Sequence, residues 1–209
     1  MSGSVDYLLD TAAFLKYGSE FGSRDMTRGF YIGRFQPYHD GHHAMIEQIA
    51  TEVEELVVGI GSADASHTEH NPFTAGERIM MLTKSIAEFE RDHDLVTYVV
   101  PIVDIDRNAV WVGHVQSMCP EFDVVYSNNP LVVRLFEERG VEVHQSGMFD
   151  RGRLEGTDIR QRMIEGREWE DRVPDPVVEV IHECNGLQRL RTVVQEDVAE
   201  RWEAGEDDR

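Results

Sequence analysis

Two histidines three residues apart, His39 and His42, stand in the run Gly33-Arg34-Phe35-Gln36-Pro37-Tyr38-His39-Asp40-Gly41-His42. That spacing lets both imidazoles face one cleft from a single helical turn. The run follows an apolar burst and opens a helical pattern. A helix start offers free main-chain N–H groups and the positive end of the helix dipole, which suits a phosphate. Gly41 removes a side chain where a nucleotide would press against main chain. Arg34 adds a planar fork matched to phosphate oxygens. Two other readings stand beside this one: a metal cluster completed by His43, or surface histidines at an ordinary helix start. No third-ligand motif follows, and the Gly and Arg around the histidines favour phosphate handling.

A second group is Gly156-Thr157-Asp158-Ile159-Arg160. Thr157 is read as a helix cap, with Arg160 in the first turn, and cap, free amides and guanidinium together make an anion site. Alone it reads as an ordinary capped helix. Paired with the first run, it reads as the opposite wall of a polyphosphate cleft. No Ser, Cys or general base stands in a persuasive nucleophilic constellation.

Strands must carry these groups. Apolar bursts at 29–33, 56–61, 96–103, 122–126 and 141–144 read as buried strands. Between them, helical spacing runs over 42–53, 108–118 and 129–139, and Thr74-Ala75-Gly76-Glu77 is a capping box that starts a helix through Phe89. Helices are expected over 156–165, 177–184 and 187–202, with Gly186 breaking the last two. Alternation of strand and helix predicts an α/β fold, a parallel sheet with helices on both faces and a helical C-terminal portion. Ligands of such sheets sit outside the carboxyl ends of the strands, where the first run lies. Residues 1–25, rich in Gly and Ser, read as a flexible extension before Met26, residues 26–191 as the functional domain and 192–209 as an acidic helix and tail.

The 209 residues suit one domain, and 41% hydrophobic with 29% charged residues fits a soluble globular chain. The longest apolar runs, such as Val57-Val58-Gly59-Ile60-Gly61, are too short to span a bilayer. Forty acidic against twenty basic residues give a net charge of −20, a field that repels nucleic acid. Lys stands only at Lys16 and Lys84, so eighteen of the twenty bases are Arg. An acidic, Lys-poor surface on an ordinary core suggests adaptation to high salt, where screening removes self-repulsion; loss of structure in low salt is the measurement that checks it. Cys119 and Cys184 form no C-x-x-C, which implies a reducing compartment and a cytoplasmic default.

The run Gly33 to His42 resembles the G-R-F-Q-P-x-H-x-G-H form of the H-x-G-H nucleotidyltransferase superfamily, a Rossmann-like (HUP-type) fold. Residues 156–160 are similar to its S/G-T-x-I-R element, with Glu155 where a Ser is common. Three further stretches, Ser62-Ala63-Asp64-Ala65-Ser66-His67-Thr68 with Asn71 to Arg78, Asp104 to His114, and Tyr126 to Val132, resemble the archaeal type of nicotinamide mononucleotide (NMN) adenylyltransferase, in order and spacing, over about 26–191. The resemblance implies AMP transfer from ATP to NMN, giving NAD+ and pyrophosphate. It implies ATP contacts at Gly33, Arg34, Phe35, His39, Gly41, His42, Gly156, Thr157 and Arg160, the catalytic set being His39, His42, Arg34 and Arg160. It implies NMN contacts at Ser62, Asp104, Asn108 and Trp111, the Trp111 face meeting the cationic ring. Ser66, Asn128 and Asn129 are weaker candidates, and His70 stands where relatives often carry Arg. Mg2+ would arrive on the phosphates, with no protein metal site, and a homo-oligomer, often a hexamer, is implied. Other acceptors (nicotinic acid mononucleotide, FMN, phosphopantetheine) and a non-catalytic nucleotide sensor remain as alternatives.

Overall fold

The computed structural model describes residues 26–145 and 155–203. The expected extension over 1–25 and the end of the acidic tail lie outside them. Five parallel strands form one sheet: β1 (Arg28–Gly33), β2 (Glu55–Ile60), β3 (Val96–Pro101), β4 (Val124–Tyr126) and β5 (Glu142–His144), in the order β3-β2-β1-β4-β5. The connecting helices are α1 (Asp40–Ile49), α2 (Ala75–His93), α3 (Asn108–Met118) and α4 (Pro130–Glu137). The C-terminal portion adds α5 (Gly156–Glu165), α6 (Asp175–Glu183) and α7 (Gly186–Glu203). The expected fold class holds in strand number, parallel pairing and helical ending.

The pleat sorts the strand side chains. Successive residues of a strand point to opposite faces. Leu56, Val58 and Ile60 of β2 therefore join Met45 and Ile46 of α1, Leu82 and Ile86 of α2, Met163 of α5 and Ile181 of α6 in the larger core. Val57 faces the other way, with Phe30, Val125, Val112 and Val115 of α3 and Phe136 of α4. Two helix layers thus cover two apolar faces. The chain winds outward from β1 to β3, then crosses to β4 on the other side of β1. The order reverses beside β1, and the carboxyl end of β1 lies at that switch point, where open α/β sheets bind ligands.

Element ends differ from the sequence reading in instructive places. Helix α1 begins at Asp40, not His42, because His39 is its N-cap. Thr74 caps α2 with Glu77 as foreseen, but α2 runs on to His93 and ends at Asp94 in the left-handed conformation. Helix α6 starts at Asp175 with Pro176 in its first turn, where a missing N–H leaves no bond unmade. The break before α7 falls at Cys184 and Asn185, the latter at φ 52. Gly186 is the first residue of α7, not the breaker. An added Cβ there would lie 2.5 Å from the Phe73 ring, so the glycine admits close packing of α7. Helix α7 runs unbroken across residues 191 and 192.

Candidate active site

The turn after β1 places the first group of side chains. Phe35 takes φ 51, an uncommon conformation for a residue with a side chain, and its ring is buried. Gln36 is also buried, and its amide pairs with main chain: Nε2 donates to the Phe73 carbonyl at 2.9 Å while Oε1 accepts from the Phe73 N–H at 2.9 Å. The turn is thereby fixed to the segment before α2.

His39 and His42 cap α1 reciprocally. The His42 N–H donates to Nδ1 of His39 at 3.4 Å, and the His39 N–H donates to Nδ1 of His42 at 3.3 Å. The rings stack with centroids 3.5 Å apart. An Nδ1 that accepts a hydrogen bond carries no proton, so each neutral ring carries its proton on Nε2. Burial pushes His39 down to about 4 and His42 well below its usual range, His39 adding to the second shift. Both rings are uncharged Nε2–H donors at neutral pH. His43 does not join them: its Nδ1 pairs with the Tyr38 hydroxyl at 3.0 Å. Among the described residues, no group of three or more His, Cys, Asp or Glu side chains is arranged to hold a metal ion.

The second expected group arrives opposite. Arg34, Phe35, Gln36, His39, His42, Gly156, Thr157 and Arg160 line one cleft. Gly33 and Gly41 flank it in β1 and α1. Thr157 is not the cap of α5; Glu155 holds that position and makes no side-chain cap bond. Gly156 and Thr157 are inside the first turn, and the Thr157 hydroxyl accepts from Arg160 Nη2 at 3.3 Å. Arg160 Nη1 donates to the Gln36 carbonyl at 2.8 Å. A Cβ on Gly156 would lie 3.2 Å from that same carbonyl, so the glycine lets α5 close on the turn. Arg160 is buried, and burial followed by the nearby Arg34 lowers its pKa, Glu69 acting oppositely. Two like charges and two dipolar donors line one cleft, an arrangement that suits a polyanion.

The acceptor candidates lie at the ends of β2 and β3. The Ser62 hydroxyl donates to Asp104 Oδ2 at 2.6 Å, and its N–H reaches Oδ1 at 3.4 Å. Ser62 thus orients Asp104. Asn108 opens α3 and is exposed. Trp111, one turn on, is half-buried, its ring edge-on to Phe136 with centroids 5.8 Å apart. His114 braces the Asp104 loop through Nε2 and the Val103 carbonyl at 2.9 Å. Ser66 bonds with His67 at 2.9 Å, and His70 is exposed. Asn129 is the side-chain cap of α4, accepting from the Leu131 N–H at 3.0 Å, which explains Asn-Asn-Pro without a ligand.

Sequence reasoning passed over Arg78. Its guanidinium is fully buried and donates to the carbonyls of Arg34 and Gly61 at 2.8 Å, Ser62 at 2.9 Å and Thr74 at 3.3 Å. Burial draws its pKa down to about 10, still cationic at neutral pH. An arginine on the same helical face as Met81 and Leu82, both buried, was the available signal, since arginine is seldom buried without partners.

The cytidylyltransferase-like family matches residues 30–162. The nicotinamide-nucleotide adenylyltransferase of Haloarcula marismortui is 69% identical over 177 residues, 85% of this chain and 92% of that one. Its namesake in Halobacterium salinarum is 63% identical over 172 residues, 82% and 95% of the two chains. Among solved structures, a bifunctional NMN adenylyltransferase/ADP ribose pyrophosphatase from Francisella tularensis, complexed with AMP and a manganese ion, superposes with a TM-score of 0.65 at 16% identity. The match covers 87% of this chain and 56% of that one, and shows a shared fold.

Proposed function

The chain belongs to the cytidylyltransferase-like family and, within it, to the nicotinamide-nucleotide adenylyltransferases, and from that premise we propose how its cleft makes NAD+ and pyrophosphate from NMN and ATP. A phosphate oxygen of NMN forms a bond to the α-phosphorus of ATP. The bond from that phosphorus to the bridging oxygen breaks, and the oxygen leaves with its electron pair on pyrophosphate. The nucleophile is already ionised near neutral pH, so no side chain needs to take a proton from it. Catalysis is then positioning plus stabilisation of charge on the phosphoryl oxygens.

One observation carries this assignment: each imidazole has its Nδ1 engaged by main chain, which leaves two Nε2–H donors beside Arg34 and Arg160 in one cleft. His39 and His42 donate to α- and β-phosphate oxygens, and the two guanidinium groups balance the triphosphate. Arg160 has three N–H groups beyond the two that hold Gln36 and Thr157. Ser62 aims Asp104 toward NMN, Asn108 adds a polar contact, and Trp111 offers its face to the pyridinium ring. Mg2+ enters as part of the ATP substrate, with phosphate and water ligands, and neutralises charge there.

The test is pyrophosphate release from ATP with NMN, nicotinic acid mononucleotide, FMN and phosphopantetheine offered in turn. NMN supporting the highest kcat/KM is expected. ATP binding without turnover on any acceptor would establish the sensor reading instead. No helix among the described residues is long and apolar enough to cross a membrane, and the two free cysteines fit a cytoplasmic enzyme. The halophilic names of the relatives support salt adaptation as the reason for the charge of −20. We infer a homo-oligomer as well, supported by Val96 and Tyr98 exposed on edge strand β3; sedimentation velocity at high salt tests it.

A further inference from the structure

The two halves of the proposed site sit at the ends of neighbouring strands. The phosphate half hangs on the end of β1, and the acceptor half, through Ser62 and Asp104, on the end of β2. Both ends are in an unfavourable conformation: Phe35 has φ 51 and Ser62 φ 49, and neither is glycine. Such residues persist only where the surroundings over-determine them. Arg78 supplies that restraint. Its Nη1 donates at once to the Arg34 carbonyl, next to Phe35, and to the Gly61 carbonyl, next to Ser62, while Nη2 holds the Ser62 carbonyl itself. Nε is fixed on the Thr74 carbonyl, the cap of α2. One rigid, planar, fully buried group therefore spans both strand ends. Lysine could not do this, because an ammonium lacks the fork that reaches separate carbonyls.

We propose that Arg78 is a positioning residue that fixes the separation and orientation of the two substrate half-sites, and so sets kcat rather than the affinity for either substrate. This rests on the two-substrate reaction proposed above. Each half-site keeps its own contacts when Arg78 is replaced: His39 and His42 still cap each other, and Ser62 still holds Asp104. Their mutual placement is lost, and misplacement by about 1 Å of groups that must meet in line costs on the order of 10²-fold in rate.

The test compares the full chain with Arg78→Lys and Arg78→Gln in molar KCl. Both variants are expected to lose about 10²-fold in kcat, with little change in the calorimetric Kd for ATP alone or NMN alone. Hydrogen exchange provides a readout independent of turnover. The amides of Gly61, bonded to Gly33, and of Ala63, bonded to Ile102, should exchange faster in the variants, while β4 stays protected. A loss of kcat matching the lost folded fraction, a weaker Kd that accounts for the whole loss, or unchanged exchange at the ends of β1 and β2 would each overturn the proposal. So would failure of both variants to fold, which would make Arg78 a residue of stability alone. Wild-type turnover with NMN, measured in parallel, tests the reaction itself; its absence would refute that reaction while the exchange data still decide the restraint.

Discussion

The phosphate half and the acceptor half of the proposed site lie at the carboxyl end of one sheet, yet they are put together differently. In the first, the functional groups bind each other before any ligand arrives. His39 and His42 exchange hydrogen bonds, Arg160 holds Gln36 and Thr157, and Gln36 holds Phe73. His39, Gln36 and Arg160 are buried. In the second, Asp104 and Asn108 are exposed and Trp111 is half-buried, and the polar bonds are few. In the mechanism proposed above, the preorganised half handles the charge that changes during reaction and the open half selects the acceptor. Preorganisation is worth most where charge develops, because fixed dipoles need not reorient during the step.

The comparison can be broken most forcefully at His42. Replacing it with Ala should lower kcat by on the order of 10²–10³-fold, the scale for removing one preorganised donor, with NMN affinity unaffected; steady-state kinetics with both substrates varied would show it, and an unchanged kcat would remove the imidazole from the mechanism. Next in size is Trp111→Ala, which should raise KM for NMN about tenfold, matching ~1.4 kcal/mol of lost ring contact, and spare KM for ATP. Equal effects on both substrates would make Trp111 a packing residue.

The buried imidazoles also give a pH signature. An unfolded chain takes up a proton on His39 as pH falls below 6.5, whereas the folded chain resists until about 4. The stability contributed is therefore complete above 6.5 and is lost as pH falls from 6.5 to 4. Thermal midpoints of the wild type should drop across that window more than those of a His39→Asn, His42→Asn double variant, since the difference removes carboxylate effects common to both. Parallel curves would show that the rings are not held neutral. The smallest effect belongs to Asn129→Ala, which should cost about 1 kcal/mol of stability as a lost cap and leave both KM values alone; a raised KM for ATP would move Asn129 into the site.

Much of this was legible in the residues. The strands and helices followed from apolar bursts and helical spacing because the sheet is buried on both faces and the helices on one. Thr74 announced α2 because its hydroxyl and Glu77 are the usual partners of a capping box. His39 did not announce α1, because imidazole Nδ1 takes the role ordinarily filled by a hydroxyl or carboxylate. That the histidines and arginines of the phosphate half line one cleft was readable from their type and spacing, since all four stand at or just before the two helix starts that face it. Arg78 and Gln36 were not, because their role is to hold main-chain carbonyls and amides from distant segments, and no spacing along the chain encodes which segments meet. Thr157 is read from the sequence as the cap of α5 but stands two residues past it: Glu155 holds the cap position, and the Thr157 hydroxyl pairs with Arg160 in its own helix rather than with the free amides of the helix start.

The reciprocal capping of His39 and His42 also bears on how a cycle finishes. In the proposed mechanism two of the four side chains that grip the polyphosphate carry no charge, so part of the hold on departing pyrophosphate would come from dipoles, which weaken more steeply with distance than full charges do. An anion gripped in this way is expected to slip free sooner than one ringed by four cations, and a shorter residence of the spent product would leave the cleft open for the next nucleotide.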